Sequence, residues 1–299
     1  MKILLALVKR NIKLFFRDKG MFFTSLITPV ILLVLYASFL GNVFRDSFVQ
    51  NLPQGFPLEE AVLDGLVGGQ LISSILAVSC VTVSFCANFL MVQDKANGSL
   101  QDLLMAPVKP ATLALAYYLA TLCSSLLICL AATGLCLAYV ATMGFYMTLM
   151  DVLLLLLDVL LLVLFGTALS SVINFFLSTQ GQISAVGTII SSGYGFICGA
   201  YMPISQFSEG LQKVISFLPG TYGTSLVRNH AMNGVFLEME QQGFPAEVIT
   251  SIRDSVDCNL YLLEQPVDTG AMYAILGGSV LVLVVAYVLM NRWKSKHIG

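Results

Sequence analysis

Two apolar runs, Leu66 to Val92 and Ala111 to Ala141, stand either side of one short polar turn. Nothing else in the sequence constrains the fold as strongly. Each run is long enough to cross a bilayer, and in hydrocarbon every backbone N–H and C=O must be satisfied within its own segment. The runs therefore read as helices, and the turn belongs outside the lipid. It reads Val92-Gln-Asp-Lys-Ala-Asn-Gly-Ser-Leu-Gln-Asp-Leu-Leu-Met-Ala-Pro-Val-Lys-Pro110. Ser99 is placed to cap a short helix from Leu100 to Met105, and Pro107 and Pro110 keep that helix from merging with the next one. Leu100, Leu103 and Leu104 recur at i, i+3 and i+4. That apolar edge either closes an ordinary helix connection or docks into a partner protein.

The rest of the chain has the same character. Of 299 residues, 57% are hydrophobic and only 11% charged, more apolar surface than a soluble core of this size needs. The chain reads as an integral membrane protein of all-α class. Its start lacks a short apolar leader with a cleavage site, so the N-terminus reads as mature and retained. Six of the seven cysteines fall in apolar runs as small buried residues, and Cys258 alone reads as solvent-accessible. A disulfide framework is not expected, although pairing of Cys258 between two copies stays open. His230 and His297 lie far apart, no Cys/His spacing suggests a metal, and no metal site is expected.

Residues 2 to 17 form a basic amphipathic helix. Lys2, Lys9, Arg10, Lys13 and Arg17 share one sector and Leu4, Leu5, Val8, Ile12, Phe15 and Phe16 the other, the pattern of a helix lying in the headgroup plane. Six spans follow. The first is Met21 to Gly41, with a kink expected at Thr28-Pro29, then a polar connection from Val43 to Gly65. The second is Leu66 to Val92, whose opening Gly-Gly-Gln with Ser73 and Ser74 allows close helix contact. The third is Ala111 to Ala141, the fourth Val152 to Ile173, the fifth Ile183 to Tyr201 and the sixth Ala271 to Met290. Residues 202 to 270 read as an outer segment. In it Leu211, Val214, Ile215 and Leu218 mark an amphipathic helix that dips back into the interface, and a second helix is expected from Pro245 to Asp257.

Charge orients the spans. With the N-terminus in the cytoplasm, eleven of the fifteen basic residues face inward, and Arg45, Lys213, Arg228 and Arg253 face outward. Both termini and the central turn are then cytoplasmic. The formal glycosylation acceptor Asn97-Gly98-Ser99 falls on the wrong side for that modification.

The turn Gln93 to Val108 is similar to the segment after the second span in ABC type-two exporter permeases. That family carries an acidic residue, Gly-Thr, Leu, a Leu pair and Pro there. Gly199-Ala-Tyr-Met-Pro203, Leu218-Pro219-Gly220-Thr221-Tyr222 and Arg228 resemble the family's outer loop between spans five and six. Asp94-Lys95 and Ser99 depart mildly from the family's usual Glu and Thr, and Asn229 to Asp268 is longer than in compact members. The resemblance implies one transmembrane domain over 1–299: an elbow helix at 1–19, a cytoplasmic coupling helix at 94–109 and an extracellular segment at 202–270. It implies a non-enzymatic permease of a bacterial plasma membrane, exporting an amphipathic or hydrophobic cargo such as a drug, peptide or lipid-linked molecule. Its partners would be two cytoplasmic ATPase subunits, a second permease forming a homodimer or related heterodimer, and membrane lipids, with no nucleic acid. The chain needs no cofactor of its own; ATP and Mg would sit in the partner ATPases, in accord with the absence of a Gly-x-x-x-x-Gly-Lys-Ser/Thr loop.

Site expectations follow. Asp94, Lys95, Gly98, Ser99, Leu100, Leu103, Leu104 and Pro107 are assigned to ATPase coupling, with the leucines seated in an ATPase groove and Asp94 and Lys95 fixing orientation. Lys9, Arg10, Lys13 and Arg17 either anchor the elbow helix in lipid headgroups or touch the ATPase. Asp158, Ser191, Ser192, Tyr194 and Phe196 are candidates for a transport path. Asp151 reads as lying at the outer surface. Asp158 lies on the same helical face, roughly 10 Å deeper at 1.5 Å per residue. It either bonds a neighbouring helix as a neutral acid or serves a proton-coupled carrier. A membrane subunit that couples an ATPase to something other than export is the remaining alternative.

Overall fold

The computed structural model describes residues 2–50, 59–262 and 265–297. The chain is almost wholly helical. Helix α1 (Lys2–Arg17) is followed by α2 (Lys19–Leu35), which passes through a π-helical turn, Tyr36–Leu40, into α3 (Gly41–Gln50). Then come α4 (Glu60–Ala96), α5 (Ser99–Met105), α6 (Pro110–Met143), α7 (Leu149–Phe176) and α8 (Gln180–Ile197). A 3-10 turn at Ile204–Gln206 leads to α9 (Glu209–Ser216), α10 (Pro219–Gln241) and α11 (Ala246–Ser255). Strands β1 (Leu260–Leu262) and β2 (Gln265–Val267) pair antiparallel with Leu260 opposite Val267, and α12 (Thr269–His297) closes the chain.

Among the described residues five helical stretches are long and apolar enough to cross a membrane: Lys19–Val49, Glu60–Ala96, Pro110–Met143, Leu149–Phe176 and Thr269–Trp293. The protein is a multi-pass membrane protein. The segment expected as the fifth of six spans is α8, 18 residues long. It is not among the five, because Gln, Ser, Thr and Gly dilute its apolar residues. Helix α2 runs through Pro29, and a departure from α geometry comes later, at the π turn. Residues 43–50, expected as part of a polar connection, continue as helix.

Helix α4 is the axis of the molecule. The whole of its most apolar stretch is buried, and α2, α6, α7, α8 and α10 pack around it. Small residues permit the close crossings, as the Gly-Gly-Gln opening led us to expect. A Cβ on Gly69 would lie 2.6 Å from Cγ of Met232, and one on Gly166 of α7 would lie 2.9 Å from the Cys80 carbonyl. The outward faces of α2, α6 and α12 carry exposed Val30, Val34, Leu127, Leu135, Leu281 and Val282, surface that lipid would cover.

Helix α10 occupies an unexpected place. Counted from sequence with the outer segment, it is packed against α4, α7 and α12. Gly223, near its start, meets Leu162 of α7 and Leu276 of α12. Its Thr, Ser, Asn, Arg and His residues lower its hydropathy. They are buried or half-buried against protein, where neighbouring helices, loop carbonyls and α10's own backbone satisfy them.

Candidate functional site

The polar turn after α4 is built as a joint. Asp94 is 6% exposed. Its carboxylate accepts from Nη1 of Arg10 on α1 at 2.8 Å and from the Tyr117 hydroxyl on α6 at 2.5 Å. The next residue, Lys95, donates from Nζ to the carbonyls of Asn174, Phe175 and Leu177 at 3.0, 2.9 and 3.0 Å. The last carbonyls of a helix have no donor within it and carry the negative end of its dipole, so an ammonium there satisfies both. Two consecutive side chains thus fasten α4 to α1, α6 and the end of α7. Both were expected to orient an ATPase; both are engaged inside the chain.

The short helix beyond the joint is present, with a different start. Gly98, at φ +80°, occupies the cap position, and Ser99 is the first helical residue with no capping bond. The left-handed backbone at the turn is glycine's contribution. The apolar edge is also divided. Leu100 and Leu103 are half-buried against the chain's own core, while Leu104 and Met105 are exposed, Met105 at 86%. Pro107 is exposed. Of the elbow cations, Lys9, Lys13 and Arg17 are exposed and Arg10 is turned inward to Asp94.

Beside this joint runs a groove of about 1010 Å³ between α2, α4 and α8. Thr24 and Thr28 line it from α2, Cys86, Phe89 and Gln93 from α4, and Ser184, Thr188, Ser191, Ser192 and Phe196 from α8. Its walls are mostly apolar with a sparse track of hydroxyls. Such a surface suits an amphipathic molecule or a partner helix. Of the five path candidates, Ser191, Ser192 and Phe196 line it. Tyr194 does not; it is buried, with its hydroxyl directed at Gly220 of α10.

Asp158 lies elsewhere, wholly buried between α7, α10 and α12. Its Oδ2 is 2.5 Å from Nδ1 of His230, and its Oδ1 accepts from the Tyr273 hydroxyl at 2.6 Å. Asp151, on the same helical face, is buried within the protein too. It accepts from the Thr148 backbone and hydroxyl, capping α7, and from Asn233 of α10 at 2.8 Å. The two aspartates therefore form one polar seam holding α10 along α7. Sequence reading found the carboxylates from their spacing but missed His230, 72 residues away, because its helix was assigned outside the bundle.

A family model, ABC-2 type transporter, matches residues 3–231. The chain belongs to the ABC-2 type transporter family. No curated protein matches it significantly. The family's membrane domain is a permease that works with ATPase partners, so the joint, groove and seam are features of a permease. The match runs from the elbow helix α1 into α10, covering joint and groove.

The permease has a second buried cluster that sequence reading missed. Arg228 of α10 is wholly buried. Its guanidinium donates to the Gly199 carbonyl at 2.9 Å, to Oδ2 of Asp257 at 3.3 Å and to the Val256 carbonyl, and Nε lies 3.4 Å from the Ser73 hydroxyl on α4. Burial pushes the Asp257 carboxyl up to about 6, against the opposing pull of Arg228. Cys258, expected to be accessible, is instead 1% exposed, and burial pushes its thiol up to about 12. Its carbonyl accepts from Ser225 and Asn229, drawing the residue in against α10.

Proposed function

We propose that the protein is the transmembrane subunit of an ATP-driven exporter of amphipathic or hydrophobic cargo, powered by two separate cytoplasmic ATPase subunits that bind ATP and Mg. It works beside a second permease, identical or related, in a bacterial plasma membrane. In this reading the chain crosses six times, with α8 as the fifth span kept polar because it faces the groove. Both termini are cytoplasmic, residues 94–109 are the coupling segment, and residues 202–270 are an extracellular segment from which α10 re-enters the bundle.

One observation carries the reading: α4 belongs to both the joint and the groove. Its end, Asp94-Lys95, is fastened to α1, α6 and α7, while the adjacent Gln93, with Phe89 and Cys86 about one to two turns back, lines the groove. A push on α5 would therefore reach the groove wall through one rigid, buried helix. The contact that takes the push is the exposed part of α5, Leu104 and Met105, rather than Leu100 and Leu103. The carrier alternative draws on Asp158, yet both its oxygens are occupied within the seam and it does not line the groove.

The test is a reconstituted permease–ATPase complex carrying Leu104→Asp and Met105→Asp. Both side chains are exposed, so the variant should keep the parent's thermal stability and lose cargo-stimulated ATP hydrolysis. Unchanged stimulation would remove α5 as the coupling contact. An ATPase-dead partner should abolish transport, and Asp158→Asn should not; transport surviving the first and lost with the second would favour proton coupling.

A further inference from the structure

The stretch Gly199–Ile204 joins α8 to the 3-10 turn and lies across one end of the groove. Tyr201 lines the groove there. Its ring meets that of Phe196 edge-on, 5.0 Å between centroids, and its hydroxyl donates to the Ser191 carbonyl at 3.4 Å. A Cβ on Gly195 would overlap the ring, so glycine at that position is what lets Tyr201 fold down onto α8. Both ends of the stretch are fastened by one ion pair. Arg228 takes the Gly199 carbonyl, and the Asp257 carboxylate takes the Ile204 N–H at 3.1 and 3.0 Å to its two oxygens. Arg228 and Asp257 bond each other and come from different elements, α10 and the turn after α11. Gly199 and Asp257 both adopt left-handed backbone, φ +73° and +56°, at the two contact points.

We propose that Gly199–Ile204 is a gate over the outer end of the groove, and that Arg228 and Asp257 are the positioning clasp that holds it shut. The proposal rests on the groove being the transport path. A buried ion pair is well suited to the task. Each member holds one end of the stretch through hydrogen bonds, so losing the acceptor at 257 frees Ile204, whereas a neutral amide oxygen there still holds it. Opening it would free Tyr201 from Ser191 and Phe196 and uncover Ser191, which is half-buried in the closed arrangement.

The test uses the permease with its ATPase partner in sealed vesicles, a Ser191→Cys probe beneath Tyr201, and a membrane-impermeant maleimide added outside. Asp257→Gly removes the carboxylate without straining the left-handed backbone, and Asp257→Asn keeps an acceptor for Ile204 in a residue that tolerates that conformation. Asp257→Gly should raise the labelling rate about ten-fold or more over the parent, and Asp257→Asn should stay within about two-fold of it. Equal rates in the parent and Asp257→Gly overturn the proposal, as do equal rates in the Gly and Asn variants. So does labelling of buried Cys129 in Asp257→Gly, which would report general loosening. Labelling reads access and not transport, so the gate stands or falls by itself. Failure of the path reading shows separately, as ATP-driven cargo movement undisturbed when the groove is filled by Ser192→Trp.

Discussion

At the scale of single residues, three buried carboxylates hold different parts of the permease, and each makes a measurable forecast. Asp94 bridges α1 and α6. Because Arg10 keeps 31% of its side chain in solvent, the pair is worth less than a fully buried one. A double-mutant cycle of Asp94→Asn with Arg10→Ala should give a coupling of about 1 kcal/mol, read from unfolding in detergent. Asp158 is enclosed, so Asp158→Leu strands His230 and Tyr273 and should cost about 1–3 kcal/mol, whereas Asp158→Asn keeps most of the bonds and should cost less. Asp257 sets a pH dependence. Its folded value, about 6, lies above the ordinary unfolded carboxylate value of about 3.9, so the folded chain holds the proton more tightly. The stability this group contributes is full below about pH 4 and is lost as pH rises through about 6. The melting temperature of the parent should therefore fall, relative to that of Asp257→Asn, between those values; parallel profiles would contradict the assignment.

At the scale of elements, local pattern carried far. The basic periodicity of residues 2–17 became α1, the i, i+3, i+4 leucines became α5, and Leu211 to Leu218 and Pro245 to Asp257 became α9 and α11. Each is a short helix whose signal lies within its own few turns. The misplaced elements depend on distant partners. Helix α10 reads as polar and outer until Asp151, Asp158, Asp257 and Ser73 are set beside its Asn233, His230 and Arg228, none of which neighbours them in sequence. The inward turn of Asp94 and Lys95 is hidden for the same reason: their partners are on α1, α6 and α7. The α4–α10 crossing offers a test at this scale. A valine at Gly69 would press into Met232 and the Ala231 carbonyl, and it should destabilise the fold by about 1–3 kcal/mol. Gly134→Ala on α6, where a Cβ meets nothing within 4 Å, should be tolerated with no loss. A comparison of the two melting temperatures checks the crossing.

At the scale of the whole molecule, the permease has two unlike ends joined by one buried helix. At one end are Lys9, Lys13, Arg17, Lys95 and Lys109 around the joint; at the other are Glu59, Glu60, Asp64, Glu238 and the clasp. We read the basic end as cytoplasmic, receiving force from ATPases at α5, and the other as the exit, closed by Gly199–Ile204. The charge difference between the ends was legible in the sequence because it is a matter of composition along the chain. The route between the ends was not, because it is made by packing around α4. The most direct measurement of this claim is the side on which the turn lies. A cysteine at Asn97, an exposed position between α4 and α5, is treated with an impermeant maleimide in right-side-out and inverted vesicles, against a parent lacking it. We predict labelling in inverted vesicles alone; labelling from the outside would put α5 beyond the reach of any cytoplasmic ATPase and contradict the account.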